Sequence, residues 1–235
     1  MASQFDDLRS PSPRHDAFPS DRNARGFSLL ELIIVGMIIL ILASVSFIAL
    51  QPALNASKVS GAYDNVLMTM RVARQRAVEE RKRYMVVLGT PAPAGVATPL
   101  GAPDAQSIQV FRWDANTALA NAVQMSTIEL SPFVQYQTIP GLPNPGPDNF
   151  GVGVAPLDFD YTATGAATGG TTNLVMFMPD GSAQDTNGNQ LSGVCYVARN
   201  GDMYSTRAVT IFGASGRIRG WRLKNNGGVP QWMKQ

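Results

Sequence analysis

The sequence has few of the residues that most often build disulfides, metal sites and catalytic pairs. Its 235 residues include one cysteine, Cys195, and one histidine, His15. A single cysteine excludes an intrachain disulfide. One cysteine with one histidine also leaves no basis for a zinc site or a Cys/His nucleophile pair. Charged residues make up only 15% of the chain and the formal net charge is +2, so the overall charge does not indicate a class of partner.

The most distinctive segment is a long apolar run from Gly26 to Leu50, with one carboxylate, Glu31, near its start. As an α-helix it would be about 36 Å long, enough to cross the hydrocarbon core of a bilayer with some tilt. A plain membrane anchor and an uncleaved signal sequence are alternative interpretations. The run is, however, longer than a secretory apolar region and has no small-residue cleavage site at its far end. An unpaired carboxylate inside such a run is costly, which favours a function for Glu31.

The start of this run resembles the class III signal of type IV pilins and of the pseudopilins of type II secretion. The matching residues are Arg25-Gly26-Phe27-Ser28-Leu29-Leu30-Glu31-Leu32. The resemblance implies that a prepilin peptidase cleaves after Gly26 and that Phe27 becomes the N-methylated terminus. It also implies that Glu31 acts in assembly. In a filament of packed apolar helices, a buried Glu31 would need a cationic partner, and the amine of Phe27 on the same or a neighbouring subunit would supply one.

These features divide the N-terminal part of the chain. Residues 1–26 are rich in Ser, Pro, Asp and Arg and are predicted to be a disordered leader; residues 27–50 are predicted to be the transmembrane half of a helix. Arg22 and Arg25 precede the apolar run, whereas the first positive charge beyond it is Lys58. This asymmetry predicts a single pass through the membrane, with the N-terminus in the cytoplasm and the head outside. The resemblance implies that this is the inner membrane and that the partners are membrane lipid, the prepilin peptidase, other pilin subunits and an inner-membrane assembly platform.

Residues 51–83 are predicted to be the second, amphipathic half of the helix. Pro52 is expected to kink the helix or to begin a new segment. The last turns are basic, which is typical of a solvated helix end, although contact with phosphates or with a neighbouring subunit is an alternative. The predicted inward face follows spacings of three to five residues: Leu54, Val59, Ala62, Val66, Met70, Ala73, Ala77 and Glu80.

Residues 84–235 are predicted to be a β-rich head, which makes the fold class α+β. Pro- and Gly-rich composition predicts loops over residues 89–104 and 141–172. The turn-forming segment 185–189 has oxygen ligands at alternate positions, but it lacks the glycine and the glutamate of a calcium loop and is interpreted as a polar turn. Cys195 lies in an apolar run and is predicted to be buried. The predicted strands are 84–88, 107–112, 127–130, 133–138, 174–178, 194–199, 207–212 and 217–223.

The C-terminal third resembles the GspH/FimT family of pseudopilins and minor pilins. The matching segments are Phe177 to Ala183, Arg207 to Ile211 and Gly216-Arg217-Ile218-Arg219. The resemblance implies a long N-terminal helix packed on an antiparallel β-sheet head.

The C-terminal tail is the candidate binding site. Residues 199–235 contain seven Lys or Arg against one acid, Asp202. On a strand, Arg217, Arg219 and Trp221 would share one face. Two guanidiniums beside an indole suit a nucleic-acid backbone with a base to stack on, and Arg222 and Lys224 would extend the basic surface. In FimT-like minor pilins a Gly-Arg-x-Arg motif at this place is linked to DNA capture. Secretion pseudopilins carry a similar motif, and charged edge strands also prevent aggregation, so a structural role is the alternative.

The sequence thus predicts a minor pilin or pseudopilin that contributes to initiation or to the tip of a filament. It contains no constellation that argues for an enzyme or for a cofactor. A DNA-binding minor pilin and a membrane-anchored protein unrelated to pili are the alternatives.

Overall fold

The computed structural model describes residues 27–89, 106–114, 121–144, 146–151, 155–161 and 173–235. The chain divides into two compact units, Met1–Ala49 and Leu50–Gln235. A single α-helix, α1, covers Leu29–Glu80. The strands in chain order are β1 Arg83–Leu88, β2 Ser107–Trp113, β3 Val123–Glu129, β4 Val134–Tyr136, β5 Leu157–Tyr161, β6 Leu174–Phe177, β7 Ala183–Gln184, β8 Ser192–Arg199, β9 Arg207–Phe212, β10 Arg217–Asn226 and β11 Val229–Lys234.

The first unit contains the apolar part of α1. Its large side chains are exposed in the isolated chain; Leu30 and Phe47, for example, are 66% and 67% exposed. The helix is long and apolar enough to cross a membrane by length and composition. None of the apolar residues described in this unit is buried.

In the second unit, α1 packs its apolar face against strands of two antiparallel sheets. One sheet has the strand order β3-β2-β1-β6-β7, and the other β11-β10-β9-β8-β4, with β5 also paired to β8. Val66 and Met70 of α1 are fully buried in one cluster with Val86 of β1 and Val209 of β9. The predicted architecture of a long helix packed on antiparallel β-structure is therefore confirmed.

Several details of the helix prediction were wrong. Pro52 lies inside α1, so it does not begin a new segment; the alternative expectation of a kink stays a prediction. Leu54 is 49% exposed, since it precedes Val59, the first core residue of the helix. The helix ends at Glu80 rather than at residue 83. The next residue, Arg81, adopts a left-handed φ of 52°.

The strand predictions were correct for most of the sheet but missed its shorter and more polar members. Strand β5 lies inside the predicted loop 141–172, and β11 was not predicted. Strand β3 begins at Val123, earlier than expected, and its side chains are mostly exposed. These strands have weak apolar alternation, and hydrogen bonding to a neighbouring strand, not local pattern, sets their extent. The predicted loop 89–104 lies outside the described residues, apart from Gly89.

Candidate functional site

The N-terminal motif lies at the start of α1. Gly26 lies outside the described residues, and Phe27 is 79% exposed. The first intrahelical hydrogen bond runs from the Leu32 amide to the Ser28 carbonyl, at 3.1 Å. Glu31 is exposed in the first turn and forms no ion pair with any described residue. Its carboxylate is therefore free to pair with a cation on another molecule.

The register of β10 places Arg217, Arg219 and Trp221 on one face of the sheet, opposite Phe212, Thr210 and Ala208 of β9. Ile218 lies on the other face, where it packs against the main core. The alternation of a strand thus arranges the three side chains as the sequence predicted.

Arg219 is not a free guanidinium. Its Nη1 donates to Asp148 Oδ1 at 2.6 Å, and the two side chains are 27% and 17% exposed. Asp148 Oδ2 accepts from the Thr210 hydroxyl at 2.7 Å, and Thr210 Oγ1 accepts from Trp221 Nε1 at 3.0 Å. We call these four residues the Asp148 network. It joins the short 3₁₀ helix Pro147–Asn149 to the outer face of the sheet.

Trp221 is also committed to packing. It lies partly buried against a small apolar cluster that includes Phe150 and Tyr196. The indole that would stack on a base is therefore held by a hydrogen bond at one edge and by apolar contacts over part of its surface.

The remaining predicted cations are exposed but do not form one cluster. Arg217 lies over the Phe212 ring, 5.7 Å from its centroid. Arg222 lies on the opposite face of β10, directly across from Arg207 of β9. Lys224 is exposed two residues further along the same strand. The five predicted binding residues thus divide between two faces of the hairpin.

The backbone conformation and the surroundings of Gly216 explain why the Gly-Arg-x-Arg motif begins with glycine. Gly216 has a φ of +58°, and a Cβ there would clash with the Gly181 carbonyl oxygen. Arg74 of α1 holds the same two turns, because it donates to Gly181 O at 3.1 Å and to Ser215 O at 2.9 Å. Sequence reasoning counted Arg74 only as part of a basic helix end.

An open groove of about 850 Å³ lies beside these turns. Three guanidiniums, of Arg71, Arg74 and Arg217, line it with the carboxylates of Glu79 and Asp180. Asp180 is occupied by the Ser182 hydroxyl and amide, whose hydrogen bonds lower the pKa of its carboxyl. The groove combines residues that are far apart in sequence, so sequence analysis did not identify it.

Two other predictions concern metals and thiols. Asp185 accepts hydrogen bonds from the Asn187 and Asn189 amides, as a polar turn requires. Burial raises the pKa of its carboxyl, but these hydrogen bonds outweigh that effect and lower the pKa overall. Among the described residues no group of three His, Cys, Asp or Glu could hold a metal ion. Cys195 is fully buried, as predicted, and burial raises the pKa of its thiol to about 12.

Comparison with known proteins gives two matches. Residues 21–47 match the model of the prokaryotic N-terminal methylation motif. A crystal structure of the type IV minor pilin FimU from Pseudomonas aeruginosa is similar at a TM-score of 0.37 and 11% identity, over 69% of this chain and 87% of that one. No curated protein sequence matches the chain.

The methylation motif and the architecture can now be placed on the chain together. Residues 21–47 carry the methylation motif, and α1, which overlaps it, is long and apolar enough to cross a membrane. The second half of α1 packs on antiparallel sheets. Both features agree with the pilin-like organisation that the sequence predicts.

Proposed function

We propose that the chain is a minor pilin or pseudopilin, a structural subunit that contributes to initiation or to the tip of a type IV pilus or a type II secretion pseudopilus. The observation that carries the proposal is Glu31, a carboxylate without an ion pair among the described residues, which lies inside the methylation motif at the start of an exposed apolar helix.

Filament assembly would bury this helix among its neighbours. Burying an unpaired carboxylate costs several kcal/mol, so a cationic partner is needed. Cleavage after Gly26 by the prepilin peptidase creates an amine on Phe27, and N-methylation keeps its charge. That amine on a neighbouring subunit is the partner that fits. Before assembly the subunit resides in the inner membrane, with its head outside the cytoplasm, where the assembly platform collects it.

The test compares Glu31→Val with a matched apolar exchange, Ile34→Val, in the same helix. Both variants should insert in the membrane and be cleaved, because neither alters Gly26. Only Glu31→Val should be lost from sheared or affinity-purified filaments, by about tenfold or more. Incorporation of Glu31→Val at the level of Ile34→Val would refute the pairing argument.

A second experiment tests processing. Gly26→Ala or a bulkier substitution should leave the precursor uncut, because the peptidase requires a minimal residue before the cleaved bond. The readout is the mobility of the protein with and without the peptidase gene. Identical mobility of the wild type in both strains would instead support a membrane-anchored protein unrelated to pili.

DNA capture is a second candidate function, supported by the exposed Arg217 and Lys224 and by the guanidiniums of the groove. The test is binding of duplex DNA by the full chain in nonionic detergent across a salt series. If Arg217 contacts a phosphate, Arg217→Gln should reduce the slope of log affinity against log salt by about 0.9. Arg219 is occupied by Asp148, so Arg219→Gln should change this slope much less. Absence of binding by the wild type at low salt would exclude this function.

A further inference from the structure

A small cavity of about 190 Å³ lies between α1 and the first residue of β9, Arg207. Three arginines line it, Arg199, Arg207 and Arg222, together with one acid, Asp202. It is distinct from the groove beside Gly216. One water needs only about 10–15 Å³, so the cavity has room for a tetrahedral oxyanion with its waters.

Arg207 is the unusual member of this cavity. Its side chain lies in the sheet face that packs on α1, and the residue is only 3% exposed. Its Nη1 donates to the carbonyls of Tyr204, Ser205 and Thr206 at 3.3, 2.9 and 3.2 Å. No carboxylate among the described residues forms an ion pair with it. Buried charges are normally paired, whereas the carboxylates of Asp202 and Asp64 act on this guanidinium without forming an ion pair with it.

Arg222 adds a second positive charge close to Arg207. It lies directly opposite Arg207 in the β9–β10 register, and like charges at directly opposed positions of a sheet repel each other. Burial, followed by the charge of Arg222, lowers the pKa of Arg207 to about 10. The arrangement would be relieved by an anion bound between the two guanidiniums.

Asp202 does not supply that anion. Its Oδ1 accepts from the Ser205 amide at 3.2 Å and caps the short 3₁₀ helix Met203–Ser205. It forms no ion pair with any described arginine. Three arginines against one aspartate leave the cavity with a formal excess of two positive charges.

The position of the cavity along α1, measured from Leu50, indicates the class of anion that it binds. Pro52, Asn55 and Ala56 line it, and they follow Leu50, the last residue of the apolar run, by two to six positions. At 1.5 Å per residue they lie about 3–9 Å beyond the end of the run. The headgroup layer on each side of a bilayer has about this thickness.

We propose that the cavity binds the phosphate group of an anionic phospholipid in the leaflet next to the head. The proposal rests on the proposed function in one respect, the insertion of α1 in a bilayer up to Leu50. The buried Arg207 and the exposed Arg222 would hold the phosphate from two sides, while Arg199 adds a third donor. Such a contact would fix how closely the head approaches the membrane before assembly.

The test uses the full chain in nonionic detergent, titrated with phosphatidylglycerol and, separately, with phosphatidylcholine and inorganic phosphate. Bound lipid is counted by native mass spectrometry. One phosphatidylglycerol should bind at least tenfold more tightly than phosphatidylcholine, and Arg222→Gln or Arg199→Gln should abolish that preference. The matched control is Lys224→Gln, which removes an exposed cation from the same strand without altering the cavity; its affinity should stay within twofold.

Arg207→Gln is informative only if circular dichroism shows a folded head, whereas Arg222→Gln and Arg199→Gln alter residues with more exposure. Equal losses for Arg222→Gln and Lys224→Gln would mean diffuse attraction and would overturn the proposal. Inorganic phosphate that binds as tightly as phosphatidylglycerol would assign the site to the free anion and overturn the lipid assignment. Lipid binding requires no filament, so its failure and a failure of the Glu31 experiment are separate results.

Discussion

Exchange of Asp148 for asparagine removes one negative charge from the Asp148 network and keeps the shape of the side chain. Asparagine is also the best replacement for the backbone, because Asp148 has a φ of 59°, a conformation that Asn and Asp tolerate better than other non-glycine residues. The variant leaves the Arg219 guanidinium, 27% exposed, without its counter-charge and weakens the hydrogen bond from Thr210.

The magnitude follows from the burial of the pair. A hydrogen bond to a charged group contributes about 1.5–3 kcal/mol, whereas an exposed ion pair contributes about 0–1 kcal/mol. The Arg219–Asp148 pair is mostly buried but retains some exposure, so we expect a loss of about 2 kcal/mol. For a domain of this size that is a decrease in melting temperature of about 4–8 °C.

The assay is thermal unfolding of the full chain in nonionic detergent, followed by circular dichroism. The control is Asp114→Asn, which removes the same charge from the Lys82–Asp114 pair, where the nitrogen–oxygen distance is 3.2 Å and the side chains are 38% and 53% exposed. That variant should lower the melting temperature by less than about 3 °C. If both variants give the same shift, the Asp148 network does not stabilise the head and the reasoning is refuted.

Three further predictions use the same unfolding assay or a thiol reagent. Gly216→Ala should destabilise the head by at least about 2 kcal/mol, because the new Cβ would clash with the Gly181 carbonyl and the left-handed backbone is strained. The control is Gly188→Ala, which has open space around it and should cost less. Equal losses of stability for the two variants would contradict this prediction. Arg74→Met should cost about 2 kcal/mol through its two carbonyl hydrogen bonds, and an unchanged melting temperature would show them to be dispensable. Burial raises the pKa of the Cys195 thiol from 9.0 to about 12, so the thiol of the folded chain should resist maleimide at pH 8. The contribution of the buried thiol to stability should be complete below pH 9 and be lost as the pH rises towards 12. Rapid labelling of the folded chain at pH 8 would contradict this.

The helix and the main strands could be predicted because they depend on local pattern. The apolar run before Leu50 and the inward spacing from Val59 to Ala77 are properties of one continuous segment, and both are present in α1. The strand Arg207 to Phe212 was predicted with its observed bounds. The sequence could not predict that β5 lies within a Pro/Gly-rich stretch, because pairing with β8 creates that strand.

The candidate site was predictable only as a set of residue types. Alternation on one strand correctly placed Arg217, Arg219 and Trp221 on one face, but nothing local indicated that Arg219 is paired. Its partner, Asp148, lies 71 positions earlier in the chain. A charge counted as available in the sequence was therefore already neutralised in the fold.

By itself the sequence determined the long apolar helix, the methylation motif and the position of Glu31, because these depend on the order of neighbouring residues. Only the tertiary structure decided which cations are free. It paired Arg219 with the Asp148 carboxylate, joined Arg74 to the carbonyls of two turns and placed Arg207 opposite Arg222, with no ion pair to Arg207 among the described residues. The physical reason is that the environment of a charge depends on strand neighbours that are distant in sequence. The periodicity of a helix, by contrast, depends only on residues of one continuous segment.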